Sequence, residues 1–253
     1  MPAPLSVVIA AKNEAARIGA CIASVAGLAS EVVVVENDST DGTGIVAAEA
    51  GATVFTHPFE TIGLQRNVAI ERARYEWILV LDADERCSPE LAEEIRALLL
   101  EAPAAEAYRV PRTNFFLGRH IAHGGWGSDR PVRLFRATLR YNDSRVHERV
   151  ATLGEPGRLR HAILHEPYAT LDQYFEKFTR YSAWWAADQF ERGRRVSPVA
   201  ALIKPPARFV SMFVLRAGWL DGAAGLVLAV LAAMSVGAKY ARLWALGLRE
   251  PED

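Results

Sequence analysis

Cysteine is scarce in this chain: only Cys21 and Cys87 occur in 253 residues, far apart and outside any Cys-x-x-Cys pair. That excludes a disulfide framework and a zinc-thiolate site, makes a reducing cytosol the simpler setting, and leaves both thiols as expected small core residues. Charge of one sign is lacking too. The 29 Lys and Arg against 30 Asp and Glu leave a formal net charge of −1, so no nucleic-acid partner is expected through bulk positive charge. No Gly-x-Gly-x-x-Gly follows the first apolar run, which argues against a dinucleotide-dependent dehydrogenase. Ala10-Ala11-Lys12-Asn13-Glu14 also lacks the glycine run that a sugar-phosphate nucleotidyltransferase would carry there. The amino end has no basic stretch ahead of an apolar one, so residues 5–11 read as a first strand rather than a secretion signal. A mature start near Met1 and an intracellular location are expected. Repeats and low-complexity segments are absent as well.

What is present is apolar patterning. Hydrophobic residues make up 51% of the chain and charged residues 23%, enough for a sizeable core. Short continuous apolar runs at 5–11, 31–36, 53–55 and 77–81 suit strands buried on both faces. Between them lie helix patterns: Ile18, Ile22 and Val25 share one face, a helix opens after Asp41-Gly42, and another covers 63–74. Ser88 and Pro89 read as the N-cap and first residue of a further helix. The alternation βαβαβαβα predicts an α/β domain with a mostly parallel sheet and helices on both faces. After Pro103 the pattern changes to strand-like segments at 107–116, 131–136 and 145–150, separated by polar and glycine-rich loops. From Thr170 a helix begins, with Leu171, Tyr174, Phe178, Tyr181 and Trp185 at steps of three and four. The expected boundaries are a catalytic domain over 1–168 and a helical region over 169–253.

That helical region contains an uncharged run at 222–238, slightly short of a spanning segment and closed upstream by Asp221. Lys204, Arg208 and Arg216 precede it among Phe209, Met212, Phe213 and Trp219. Basic residues interleaved with aromatics suit a helix lying on an anionic membrane surface; a buried hairpin or a dimer contact is the alternative.

In open α/β sheets, ligands bind beyond the carboxyl ends of the strands. Polar residues gather at those ends: Lys12-Asn13-Glu14, then Glu36-Asn37-Asp38-Ser39-Thr40-Asp41, then Asp82-Ala83-Asp84-Glu85. Asp82 and Asp84, one residue apart at a strand mouth, can serve different partners, one a ribose hydroxyl and the other a hard divalent cation. Mg2+ or Mn2+ takes oxygen ligands and couples carboxylates to a substrate diphosphate. Asp38 can accept from a base or ribose donor, although helix capping explains its neighbours. Within the Gln65-Arg66-Asn67 stretch, Arg66 can face a diphosphate and Asn67 a base or ribose; a solvated surface is an equal reading.

Taken together, Ile9-Ala10-Ala11-Lys12-Asn13-Glu14, Val35 to Thr43, Gly63 to Asn67 and Leu81 to Asp84 resemble glycosyltransferase family 2 over about the first hundred residues. The resemblance implies a GT-A fold, a nucleotide-sugar donor, inversion at the anomeric carbon and a divalent metal. It assigns Asp38 to the base, Asp82 to the ribose region and Asp84 to the metal, with Ala10, Ala11 and Glu14 lining the nucleotide pocket. Asp129 to Arg136, Val146-His147-Glu148, Phe178 to Ser182 and Leu215 to Gly222 look like the bacterial lipopolysaccharide-core β-1,4-glucosyltransferase subgroup. That narrower likeness implies UDP-glucose, a lipid-linked saccharide acceptor (an inner-core heptose) and peripheral attachment to the inner face of the cytoplasmic membrane. Related subgroups act on other glycans or on peptides. A Glu-Asp pair that supplies the base in many members is missing here, leaving Glu148 and Asp129 as candidates, with Glu148 favoured beside His147. The histidine can be a metal ligand, a diphosphate contact or an orienter of the base. A catalytically silent, nucleotide-binding membrane module is the non-enzyme alternative.

Overall fold

The computed structural model describes residues 2–101, 103–142 and 148–248. In chain order the elements are β1 (Leu5–Ala11), α1 (Ala15–Ala23), β2 (Glu31–Glu36), α2 (Thr43–Glu49), β3 (Thr53–Thr56), α3 (Ile62–Arg72) and β4 (Trp77–Asp82). They continue with β5 (Glu85–Cys87), α4 (Pro89–Leu100), β6 (Ala107–Arg109), β7 (Arg112–Phe116), β8 (Arg119–Ile121), β9 (Val132–Arg136), β10 (Gly157–Arg158) and β11 (Ile163–Tyr168). Three helices follow: α5 (Leu171–Glu191), α6 (Val199–Phe209) and α7 (Gly222–Gly247).

The chain divides into two compact units, Met1–Arg112 with Asp129–His165, and Thr113–Ser128 with Glu166–Asp253. The first is a three-layer α/β unit around a seven-stranded sheet ordered β10-β6-β9-β4-β1-β2-β3. Strands β1 to β4 pair parallel with one another, and β9 joins β4 antiparallel. Alternation sorts their side chains cleanly. Val7, Ile9, Val34, Leu79 and Leu81 enter one core with Ile18 and Ile22 of α1 and Leu91 and Ile95 of α4. Val8, Val33, Val35, Ile78 and Val80 enter the other with Ala69 and Ile70 of α3. Both cysteines are free and buried.

Local signals fix the ends. Ser88 accepts from the Leu91 amide as N-cap with Pro89 behind it, and Thr61 accepts from the Leu64 amide to start α3 at Ile62. The strand expected over 107–116 breaks into β6 and β7, because Pro111 has no N–H to give to a ladder. Its carbonyl instead accepts from the Ile163 amide, while Val110 donates to the Pro131 carbonyl. Of the strand expected at 145–150, residues 145–147 lie outside the described residues, and Val150 forms an isolated bridge with Tyr141.

In the second unit, Phe116, Ile121, Tyr174, Met212 and Leu228 are buried together, with Trp126, Tyr168 and Phe178 against them. Of the stripe on α5, Tyr174 and Phe178 thus serve packing, whereas Leu171 and Tyr181 are exposed. Pro205 and Pro206 lie inside α6, and a π-helical turn over Val210–Leu215 follows, as expected where prolines remove helix hydrogen bonds. The apolar helix is longer than its uncharged run: α7 has 26 residues and carries Lys239 and Arg242 within it. The segment Gly218–Gly247 is long and apolar enough to cross a membrane, with mean hydropathy 1.8.

Candidate active site

The carboxyl ends of β1 and β2 are held by cross-lacing between their loops. Asn13 and Asp38 take left-handed backbone conformations, φ 53° and 43°, which Asn and Asp tolerate better than other L-residues. The Asn13 amide donates to Ser39 Oγ at 3.2 Å, and the Thr40 amide donates to Asn13 Oδ1 at 2.9 Å. Asp41 accepts from the Ala15 and Thr43 amides, both at 3.0 Å, and Glu36 accepts from the Ser39 amide and the Thr56 hydroxyl. Burial raises the Glu36 and Asp41 carboxyls, yet these hydrogen bonds outweigh it and hold both below their ordinary values. Glu36 and Asp41 are therefore accounted for by folding. Asp38 is exposed, and its side chain makes no hydrogen bond among the described residues. Ala10 and Ala11 are buried, so they can offer a ligand only backbone. Glu14 is tied to Arg17 at 2.6 Å.

Strand register sets Ala10 beside Asp82, and there the site becomes a charge network. Asp82 pairs with Arg66 of α3, with Arg133 of β9 at 2.5 Å and with Arg112 of β7 at 3.4 Å. Arg66 also holds Glu148 at 2.6 Å, and Arg112 holds Glu85 at 2.6 Å and Asp129 at 2.9 Å. Glu85 is fully buried and accepts from the Asp82 amide, which makes it a strut. Burial alone would raise the Asp82 carboxyl, but Arg133, Arg66 and Arg112 hold it well below the usual carboxylate range. A quarter of the Asp82 side chain stays open, against 18% for Glu148 and 45% for Asp129. The Nε atoms of Arg66, Arg112 and Arg133 and the Tyr141 hydroxyl are buried without a partner among the described residues, an unusual density of unmet polar groups.

The remaining residues of α3 serve the backbone nearby. Asn67 exchanges two hydrogen bonds with the Tyr141 main chain, both 2.9 Å, so its amide is fully engaged there. Gln65 is buried and donates to the His57 carbonyl at 3.0 Å. The guanidinium of Arg66 lies 5.1 Å from the Tyr141 ring centre. Gly63 permits this approach: a Cβ there would stand 2.8 Å from the Asn142 carbonyl oxygen.

Asp84 follows in the turn between β4 and β5. Antiparallel pairing of β5 with β11 puts His165 opposite Glu85, and His165 Nε2 comes within 3.7 Å of Asp84 Oδ1. Burial pushes the imidazole down against the pull of Asp84, favouring the neutral form that can ligate a metal. No group of three or more His, Cys, Asp or Glu is placed to hold a metal ion by itself among the described residues. The Asp84 and His165 pair nevertheless fits a divalent ion whose other ligands are water and a diphosphate. His147 lies outside the described residues.

The structure thus gathers Asp82, Arg66, Glu148 and Asp129 in one network and leaves Asp38 and Glu14 at the neighbouring loops. His165, Arg112 and Arg133 carry weight that sequence reading did not assign. His165 had no local signal, because its place beside Asp84 depends on the antiparallel register of β11 with β5. The arginines had none, because their carboxylates are 30 and 51 residues away.

The sequence pattern of the family described as Glycosyl transferase family 2 matches residues 6–152. A lipopolysaccharide core biosynthesis glycosyltransferase, LpsC, of Rhizobium meliloti is 31% identical over 250 residues, spanning 96% of this chain and 90% of its own length. An uncharacterized glycosyltransferase of Rickettsia typhi is 27% identical, spanning 97% of this chain and 88% of its own. Among solved structures, mannosyl-3-phosphoglycerate synthase from Rubrobacter xylanophilus is 27% identical, with a TM-score of 0.40 over 44% of this chain and 41% of its own. Glucosyl-3-phosphoglycerate synthase from Mycobacterium tuberculosis, solved with Mn2+, UDP and glucosyl-3-phosphoglycerate, is 24% identical, with a TM-score of 0.38 over 45% of this chain and 44% of its own. With the family pattern over more than half its length, this chain belongs to glycosyltransferase family 2, and its mixed α/β architecture is of the GT-A kind.

Proposed function

We propose that the protein is a metal-dependent inverting hexosyltransferase that moves glucose from UDP-glucose to a lipid-linked saccharide, the lipopolysaccharide inner core, at the inner face of the cytoplasmic membrane. The observation that carries this reading is the division of labour at the end of β4. Asp82 is locked by three arginines, while Asp84 stands beside neutral His165. Asp82, kept ionised and partly open, accepts hydrogen bonds from the ribose, and exposed Asp38 takes the base. Backbone at Ala10 and Ala11 lines the nucleotide. The likeness to a lipopolysaccharide core biosynthesis enzyme supports the acceptor class.

Asp84 and His165 would hold Mg2+ or Mn2+, which when bound neutralises charge on the departing diphosphate. Single displacement needs a base on the acceptor side. Glu148 is 18% open and clamped to Arg66, whereas Asp129 is 45% open and touches only the edge of the network through Arg112. Asp129 is therefore the better placed base, taking the acceptor hydroxyl proton as that oxygen attacks the anomeric carbon and UDP leaves. Glu148 positions Arg66 and through it Asp82.

The test is a donor screen of UDP-, GDP- and dTDP-sugars with truncated lipopolysaccharide as acceptor, with and without metal. Metal-dependent transfer from UDP-glucose with an inverted product supports the reading. No turnover with any donor would instead leave a silent nucleotide-binding module.

A further inference from the structure

The second unit holds a titratable pair that the donor chemistry does not use. Asp221 stands at the head of α7 with a side chain only 6% exposed. It accepts from the Ala122 and His123 amides at 3.1 and 2.9 Å, and the same carboxylate meets His123 Nδ1 at 2.9 Å. Burial raises this carboxyl, but the three hydrogen bonds outweigh it and hold it below its ordinary value. A carboxylate has no proton to give, which leaves the shared proton on Nδ1. In the neutral ring Nε2 then carries the lone pair. The His123 side chain is 38% exposed, and its Nε2 makes no hydrogen bond among the described residues.

The loop that carries this ring is fixed within its own unit. The Trp126 amide donates to the His123 carbonyl at 3.1 Å, and Asn114 Nδ2 donates to the Trp126 carbonyl at 2.6 Å. The Gly124 amide donates to the Arg216 carbonyl at 2.9 Å. Trp126 packs edge-on against Phe116, with ring centres 6.5 Å apart. Gly124 and Gly125 take φ of 65° and 93°, and a Cβ on Gly127 would lie 2.1 Å from the Ala122 carbonyl oxygen. Ring and carboxylate are thus preset before any ligand arrives, which lowers the cost of binding one.

The first unit has a matching clamp. Glu94 accepts from the Arg160 and His161 amides and meets His161 Nδ1 at 3.0 Å. Such a clamp can serve folding alone. His123 differs because the two positions after it carry no side chain and take backbone conformations that cost chain entropy to hold. A lone pair on a fixed nitrogen, backed by a carboxylate, repels anions and calls for a ligand that donates a hydrogen bond. One nitrogen cannot hold a metal by itself, and no group of three or more His, Cys, Asp or Glu is placed to do so among the described residues. Sugar hydroxyls are donors of the required kind.

We infer that His123, oriented by Asp221, accepts a hydrogen bond from a hydroxyl of the saccharide acceptor, giving the second unit an acceptor-binding site. This rests on the transferase reading above and deepens it, assigning part of acceptor choice to the second unit.

Calorimetric titration of deacylated, truncated lipopolysaccharide into the full chain tests the site without requiring turnover. His123→Asn keeps a side-chain N–H for Asp221 and removes Nε2. It is expected to weaken oligosaccharide binding about five- to tenfold, the loss of one hydrogen bond. His161→Asn, the same change at the first unit's clamp, is expected to stay within about twofold of wild type. UDP binding in the presence of Mn2+ is measured alongside and should be unchanged in both variants. Oligosaccharide binding by wild type without UDP binding would count against the transferase reading alone. No oligosaccharide binding by wild type, equal weakening in the two variants, no weakening in H123N, or a matching loss of UDP affinity in H123N would overturn the site.

Discussion

The two units use their arginines differently: three in the first share one buried carboxylate network, whereas four in the second make pairs one helical turn apart or lie over aromatic rings. Arg66, Arg112 and Arg133 share Asp82, Glu85, Glu148 and Asp129, and their side chains are at most 15% exposed. Arg180 and Arg192 pair with Glu176 and Asp188, and Arg194 and Arg195 lie over the rings of Trp185 and Phe190. A saturated network fixes geometry, because removing one member strands another in a poorly solvated place. An exposed pair one turn apart on a helix, such as Arg180 with Glu176, contributes little, so removing one member strands nothing. The first unit is thus built to hold carboxylates for chemistry, whereas the described ion pairs of α5 brace a single helix.

Breaking the first arrangement should cost most at its chemical centre. Asp84→Asn is expected to lower transfer by roughly 100-fold or more, measured as turnover at saturating metal, because charge on the leaving diphosphate goes uncompensated. Asp129→Asn should lower kcat by about 100-fold or more with KM for the donor little changed, and Glu148→Gln by under about tenfold. The reverse ranking would make Glu148 the base. Arg133→Met should destabilise the fold by about 3–5 kcal/mol in denaturant unfolding, since Asp82 and buried Glu85 lose a shared partner. Acid sharpens the same contrast. Glu36 and Asp41 have folded values below their unfolded ones, so their stabilisation is complete above the ordinary carboxylate range and is lost as pH falls through the lowered values. Unfolding followed from pH 5 downward should therefore show stability declining, and Asp41→Asn should flatten that decline. The smallest effect expected is Ser88→Ala, about 1 kcal/mol from the lost cap of α4.

Much of the first unit was legible in the sequence because its signals are local. Strand runs, the Ser88-Pro89 helix start and the polar residues at strand ends each lie within a few neighbouring positions. The acidic clusters were read too uniformly: Glu36, Asp41 and Glu85 brace loops and arginines, a distinction that depends on partners outside their own segments. Asn67 shows the same limit. Its pattern allows a ligand contact, but tertiary packing gives both ends of its amide to the Tyr141 backbone. The pairing of Asp84 with His165, 81 positions apart by their numbering, needed the β5 and β11 register to be seen. In the second unit, the aromatic stripe of α5 and the apolar run were readable as periodicity. The continuation of α7 past Lys239 was not, because a charge ends an apolar run without ending a helix.

Calorimetric titration of UDP into wild type and Asp84→Asn, with and without Mn2+, tests the central claim most directly. The account expects Mn2+ to tighten UDP binding in wild type by about tenfold or more and to do nothing for the variant. Equal tightening in both proteins, or UDP binding indifferent to Mn2+ in wild type, would contradict it.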